Sequence, residues 1–256
     1  MSPVPLLPDR KRPLVFAHRG CSSLAPENTM ASFNKARETG APGLELDIHV
    51  CASGELAVVH DDTFQRTAGD SRRIAELDYR EIKVIDVGSF FAPVFRGERA
   101  PLLEDVLEAF CPDMYIDIEL KTRKTKDDPL PGFLAETLKR FGDRVLKSVT
   151  VSSFNPFSIL VFKRLCPQVP AAVIWSADAE VPPILRRGFG RFLSHCDYLK
   201  PVHRQVNRWS HYWLSDVGKR PLVSWTIDNS ALAERMLKTG CAGIITNRPQ
   251  DMGGFS

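Results

Sequence analysis

No run of apolar residues in this chain approaches the ~18 needed to cross a bilayer as a helix. Charge of one sign is also scarce in excess. The formal net charge is +3, too small to argue for nucleic acid as a partner, and no DNA- or RNA-binding motif is present. The order of a secretory signal is missing. Pro3, Pro5 and Pro8 interrupt the first dozen residues, and the basic run Arg10-Lys11-Arg12 follows the apolar stretch instead of preceding it. The six cysteines, Cys21, Cys51, Cys111, Cys166, Cys196 and Cys241, include no CxxC pair. Such scatter suits reduced thiols in a cytoplasmic protein better than a disulfide framework. Repeats, low-complexity tracts and linkers are lacking too, so residues 1–256 are expected to form one domain.

What is present is an alternation. Short apolar runs read as strands at Leu14–Ala17, Leu44–His49, Tyr115–Leu120, Ser148–Ser152, Ala171–Trp175, Asp197–Lys200, Leu222–Trp225 and Gly243–Ile245. Helical patterns fall between them, over Asn28–Thr39, Phe133–Phe141, Asn155–Leu165 and Asn229–Leu237. Asn155 is placed to cap its helix, with Pro156 at the first helical position. Eight strands with intervening helices read as an α/β fold of the TIM (β/α)8 barrel type. A doubly wound open sheet is the rival, but no glycine-rich dinucleotide turn follows the first strand. The alternation breaks once, between His60 and Leu102, where turns, short helices and the aromatics Phe90, Phe91 and Phe95 make a stretch too long for an ordinary loop. It reads as a small insertion after the second strand, at about 61–102, sitting at the barrel mouth.

Charged and imidazole groups gather at the strand ends, where barrels build chemistry. His18-Arg19-Gly20 follows the first strand, Glu45-Leu46-Asp47 lies in the second, His60-Asp61 ends the extension of that segment, and Glu119-Leu120-Lys121 closes the third. Side chains two apart on a strand share a face, about 6.6 Å apart. Glu45 and Asp47 can then both face the barrel axis, as can Glu119 and Lys121. Three converging carboxylates repel one another and drive their pKa values upward. A hard divalent cation with oxygen ligands, Mg²⁺ or Ca²⁺, resolves the conflict. Two histidines beside it suit acid and base work near neutral pH, and Arg19 and Lys121 suit a phosphoryl group. Each feature alone has a plainer reading: a Glu-x-Asp pair as a surface ion-pair pattern, His60 as a turn histidine, Glu119 and Lys121 as partners of each other. Their joint placement at strand ends favours the site.

These motifs resemble the glycerophosphodiester phosphodiesterases. The similarity runs through His18-Arg19-Gly20, Pro26-Glu27-Asn28-Thr29, Glu45-Leu46-Asp47, Val58-Val59-His60-Asp61, Gly88-Ser89-Phe90-Phe91, Pro101–Leu107, Ile118-Glu119-Leu120-Lys121, Ser153-Phe154, Ser224-Trp225-Thr226 and Ile245–Pro249, in the family's order over nearly the whole chain. The resemblance implies a TIM barrel with an insertion after the second strand. It implies His18 and His60 as the acid/base pair and Glu45, Asp47 and Glu119 as ligands of one Mg²⁺ or Ca²⁺. Arg19 and Lys121 become phosphate contacts, Phe154 and Trp225 pocket aromatics, and Glu27 and Asn28 supports of the metal and the first histidine. The implied substrate is a small glycerophosphodiester, cleaved to glycerol 3-phosphate and an alcohol in glycerophospholipid metabolism.

Two departures stand out. Ser53-Gly54 replaces the family's frequent Asp-Gly at a structural turn, and Asn247 replaces a frequent Asp in the last motif, losing a charge. Cys21 reads as a small buried packing residue, with a reactive thiol as the alternative. Lys121 to Lys126 reads as a solvated basic loop, with attraction of anionic diesters as the alternative. Val206, Trp209, Trp213 and Val217 share a helical face and read as the buried side of a barrel helix, with a membrane-touching aromatic patch as the alternative. Rival functions are a sphingomyelinase-D-like or lysophospholipase D cleavage of lysophospholipids and a non-catalytic binding barrel. The lysine after Glu119 and the missing signal peptide count against the sphingomyelinase-D-like reading. The retained histidines and carboxylates count against the binding module.

Overall fold

The computed structural model describes residues 3–122, 128–179 and 181–254. Eight parallel strands form the barrel: β1 (Leu14–His18), β2 (Gly43–Val50), β6 (Tyr115–Leu120), β7 (Val149–Ser153), β8 (Ala171–Trp175), β9 (Tyr198–Pro201), β10 (Val223–Ser224) and β11 (Gly243–Thr246). They pair in the order β10-β11-β1-β2-β6-β7-β8-β9. Parallel bridges Leu199–Leu222 and Val202–Trp225 join the last strand to the first of that order. The expected strands are all present, each within a residue or two of its expected bounds.

Alternation along each strand divides the side chains. Leu44, Leu46 and Ile48 of β2 point out, into one continuous apolar layer with Val15, Ile116, Ile118, Val149 and the inner faces of the helices. The inward set changes character along the barrel. At the N-terminal end it is apolar: Phe16, Tyr115, Ala172, Tyr198, Val223 and Ile245, plugged from outside by Leu6 and Leu7. At the C-terminal end it carries Glu45, Asp47 and Glu119, all buried. Between the two lies a buried pair, with Lys200 Nζ 2.6 Å from Asp117 Oδ2 and 2.8 Å from Ser152 Oγ. Thr150 and the Tyr198 hydroxyl complete the shell of Asp117, each donating at 3.2 Å. A buried ion pair is tolerated only when its remaining lone pairs and protons are satisfied in this way.

The outer helices are α1 (Met30–Glu38), α4 (Leu103–Phe110), α5 (Leu130–Phe141), α6 (Asp143–Leu146), α7 (Pro156–Leu165), α8 (Arg208–His211) and α9 (Ser230–Thr239). Asn155 and Asn229 cap α7 and α9 by accepting from Phe157 N and Leu232 N. The first helix begins later than its pattern suggests, because Thr29 and Ser32 form its capping box and Asn28 is left outside with a φ of 55°. Between β2 and α4 the chain adds β3 (Leu56–Val58), antiparallel to β2, and the β4 (Thr63–Phe64) and β5 (Asp70–Arg73) hairpin, with α2 (Gln65–Ala68) and α3 (Tyr79–Ile82). This segment has its own apolar cluster around Phe64, Ile74, Leu77 and Ile82.

One expectation fails. Only Val206 of the stripe is buried; Trp209 is 76% exposed, Trp213 62% and Val217 49%. The helix α8 lasts one turn and passes into a π-helical stretch, Tyr212–Val217. Val206 precedes α8, at the end of a 3-10 turn over His203–Gln205, so it does not share a helix with the others, and Trp209, Trp213 and Val217 face outward from the short helical segment that follows. Of the basic loop, residues 123–126 lie outside the described residues. All six cysteines are free and buried. No described helix is long and apolar enough to cross a membrane.

Candidate active site

The carboxylates come from two neighbouring strands. Asp47 stands level with Glu119 in the β2–β6 register, and Glu45 is one inward position deeper on β2. Each offers an oxygen, and the three oxygens lie within 4.8 Å of one another. Their electrostatics are unequal. Burial, then Asp47, push Glu45 well above the ordinary carboxylate range. Asp47 goes the other way: against its burial, the Lys121 ammonium and the Arg19 guanidinium hold it below that range. The expectation that all three rise is therefore corrected. Two fixed cations beside one carboxylate outweigh the desolvation that dominates at the other.

Those cations are held tightly. Lys121 Nζ lies 2.7 Å from Glu119 Oε1 and 3.0 Å from Asp47 Oδ1. Arg19 Nε is 3.3 Å from Asp47 Oδ2, and its Nη1 donates to Glu27 at 3.0 Å. Asn28 donates to Asp47 Oδ2 at 2.8 Å. The Asp47 Oδ1 atom is buried and accepts no aligned hydrogen bond. A buried anionic oxygen that accepts no aligned hydrogen bond, with the Lys121 ammonium at ion-pair distance and two further carboxylates beside it, fits the donor set a hard divalent cation takes.

His18 projects from the end of β1. Its Nε2 lies 3.9 Å from Glu45 Oε2, and its Nδ1 lies 2.6 Å from Asn247 Oδ1. The amide of Asn247 is oriented by Asp228, which accepts its Nδ2 and backbone N at 2.8 Å each. Its oxygen therefore faces His18, Nδ1 carries the proton, and Nε2 presents a lone pair. Burial, then the positive charge of Arg19, lower the His18 pKa to about 4. The following loop needs glycine: Gly20 has a φ of 81°, and a Cβ there would sit 2.4 Å from Ser32 Oγ at the start of α1. That close approach lets Ser32 bond the Arg19 carbonyl at 2.9 Å.

His60 enters from the end of β3, its Nδ1 2.7 Å from Asp61 Oδ1. Arg66, at the second position of α2, binds Asp61 Oδ2 through Nε at 2.8 Å and both Glu27 oxygens through Nη1 and Nη2, at 2.9 and 2.7 Å. Sequence reasoning missed Arg66, the orienting part of Asp61, Asp228 and the Asp117–Lys200 pair. Asp61 was legible as the neighbour of His60; the others are joined to the site only by folding. Phe154 and Trp225 meet edge to face with centroids 5.7 Å apart, and Trp225 Nε1 donates to the Lys200 carbonyl at 3.0 Å.

The model of the glycerophosphoryl diester phosphodiesterase family matches residues 18–251. The chain belongs to that family. A glycerophosphodiester phosphodiesterase of Caldanaerobacter subterraneus subsp. tengcongensis is 31% identical over 240 residues, covering 93% of this chain and 96% of that protein. Glycerophosphodiester phosphodiesterase 1 of Rattus norvegicus is 35% identical, covering 87% of this chain and 74% of its own length. A solved structure of an Oleispira antarctica phosphodiesterase, in complex with the product sn-glycerol-3-phosphate, superposes with a TM-score of 0.83. It has 27% identity and covers 94% of this chain and 96% of that one. The barrel of this family member thus has the architecture of its relatives.

Proposed function

We propose that the chain, as one catalytic domain with its 61–102 insertion, hydrolyses glycerophosphodiesters to glycerol 3-phosphate and an alcohol, with one divalent cation held by Glu45, Asp47 and Glu119. The convergence of those three oxygens within 4.8 Å carries the reading. The product complex of the Oleispira antarctica relative supports the substrate class. An all-oxygen donor set suits Mg²⁺ or Ca²⁺. When bound, such an ion neutralises charge on the phosphoryl oxygens.

The chain's own residues supply the rest. Arg19 and Lys121 already flank the carboxylates and are placed to steady the phosphoryl group. Glu27 holds Arg19, and Asn28 holds Asp47. The two histidines differ in surroundings, and that divides their roles. His18, kept neutral with its Nε2 lone pair free, takes the proton from the glycerol hydroxyl beside the esterified carbon. His60, held by the Asp61 carboxylate, delivers a proton to the departing alcohol. Attack by a hydroxyl of the substrate itself has the entropic advantage of an intramolecular step. It gives a cyclic phosphate, which water then opens with the histidines exchanging roles. Phe154 and Trp225 line the pocket for the glycerol or alcohol part.

Alcohol release from glycerophosphocholine, glycerophosphoethanolamine, glycerophosphoglycerol and glycerophosphoinositol, with and without chelator, tests the activity. Full turnover after exhaustive chelation sinks the cation site. His18→Ala and His60→Ala are each expected to lose at least ~10²-fold in kcat; near-native rates in both folded variants place the acid and base elsewhere. A deoxy analogue lacking the adjacent hydroxyl should bind and barely react. Brisk hydrolysis of that analogue favours direct attack by water.

A further inference from the structure

Seventeen large apolar side chains are exposed among the described residues, and eight of them fall between positions 184 and 217. Ile184, Phe189 and Phe192 follow β8, with Ile184 72% and Phe192 67% exposed. Trp209, Trp213 and Val217 follow β9. The strands β8 and β9 are neighbours in the barrel, so their outer connections are neighbours as well. Arg220, just beyond the second segment, donates its Nε to the carbonyl of Cys196, at the end of the first, at 2.9 Å.

Charge follows the same pattern. Residues 181–221 hold eight Lys and Arg against two Asp, although the whole chain carries only +3. The rest of the molecule is therefore net acidic. Lys200 and Asp197 are buried, each within an ion pair. That leaves seven cations and Asp216 at the surface, and Asp216 faces His211 at 3.5 Å. Among the described residues, none of the seven lies within ion-pair distance of a carboxylate. Arg186, Arg191 and Arg220 donate instead to backbone carbonyls. Cations on one flank with no carboxylate at ion-pair distance among the described residues repel one another and favour an anionic partner.

We propose that this flank docks on the headgroup layer of a phospholipid membrane containing anionic lipid. Indole and phenol rings settle at headgroup depth, where one edge is apolar and the other wet. Arg and Lys between them meet phosphate groups. The aliphatic members separate this from single-stranded nucleic acid, because Ile184 and Val217 have no π-face on which a base can stack. The flank is continuous with the site mouth. His203, at the head of the second segment, donates its backbone N to the carbonyl of Trp225 at 2.9 Å. Docking therefore holds the pocket rim beside the headgroup layer. The geometry of the flank is independent of the chemistry proposed for the pocket, and its test is a binding measurement.

The full chain is sedimented with large vesicles of phosphatidylcholine, alone or with about 30 mol % phosphatidylserine. Co-sedimentation is expected with the anionic vesicles, weakening as salt rises, with a blue shift of tryptophan emission. Trp209→Ser with Trp213→Ser should weaken binding at least about tenfold. Arg204→Glu with Arg208→Glu should do the same, and both pairs should leave hydrolysis of glycerophosphocholine in solution unchanged. The proposal is overturned by failure to bind anionic vesicles or by undiminished binding of both variants. It is overturned equally by a concentration-dependent dimer that the Trp substitutions abolish, or by tighter binding to single-stranded oligonucleotide than to vesicles.

Discussion

At the scale of the residue, the two histidines are fixed through their Nδ1 atoms by unlike partners. Asn247 is neutral, and its orientation depends on Asp228. Asn247→Asp would place a carboxylate against His18 and raise its pKa from about 4. Since neutral His18 is the proposed base, the acid limb of the kcat/KM profile should move to higher pH; a profile that does not move argues against that role. Arg66 serves His60 by a longer route. Its planar fork spans Asp61 and Glu27 at once, which a lysine ammonium cannot reproduce. Arg66→Ala and Arg66→Lys should both lower kcat roughly tenfold or more, with KM less affected. Combined with Asp61→Asn, the loss should be no larger than the greater single loss, because both act on one ring. Additive losses in steady-state kinetics would show that Arg66 acts apart from His60.

At the scale of the element, the barrel floor depends on a fit between β2 and β6. The Tyr115 ring lies over Gly43, where an added Cβ would fall 2.0 Å from Cε2. The ring is fixed: its hydroxyl accepts from Val15 N at 2.7 Å and donates to Val15 O at 3.1 Å. Gly43→Ala should therefore destabilise the fold by about 1–3 kcal/mol, as overpacking does. Urea unfolding measures it, and a change under ~0.5 kcal/mol would mean the ring can swing aside. The helices follow simpler rules. Caps at Asn155 and Asn229 were legible in the sequence because a side-chain oxygen two or three residues before an open N–H is a local arrangement. The start of α1 was not, because Asn28 is drawn away to Asp47, nineteen residues on.

At the scale of the whole molecule, the site costs stability when its charges are uncompensated, and pH shows it with opposite signs. Glu45 has a raised folded pKa, so its contribution is present at low pH and lost as pH rises through the raised value. Asp47, held low, contributes above its unfolded pKa and loses that as pH falls. His18 also loses stability on the acid side, between about 6.5, its unfolded value, and about 4. A cation bound by the carboxylates relieves the Glu45 repulsion that grows with pH. Added Mg²⁺ or Ca²⁺ should raise Tm, and by more at pH 8 than at pH 5. Glu45→Gln with Glu119→Gln should erase most of the gain. Equal gains at both pH values, or a gain that survives the double substitution, would place the ion elsewhere.

By itself the sequence determined the strand order, the class of fold and the residues of the carboxylate cluster. Those depend on short-range regularities: a period of two puts Glu45 and Asp47 on one face, and apolar runs spaced by helical segments return each strand parallel to the first. Tertiary structure alone decided the rest. Arg66 meets Glu27 across 39 positions, Asp228 reaches Asn247 across 19, and Lys200 finds Asp117 across 83. No local period encodes such pairings; they exist because barrel closure brings distant strand ends to one axis. The exposed tryptophans were decided in the same way. A helical stripe in sequence states which side chains would share a face, but only the packed barrel settles whether that face meets the core or the solvent.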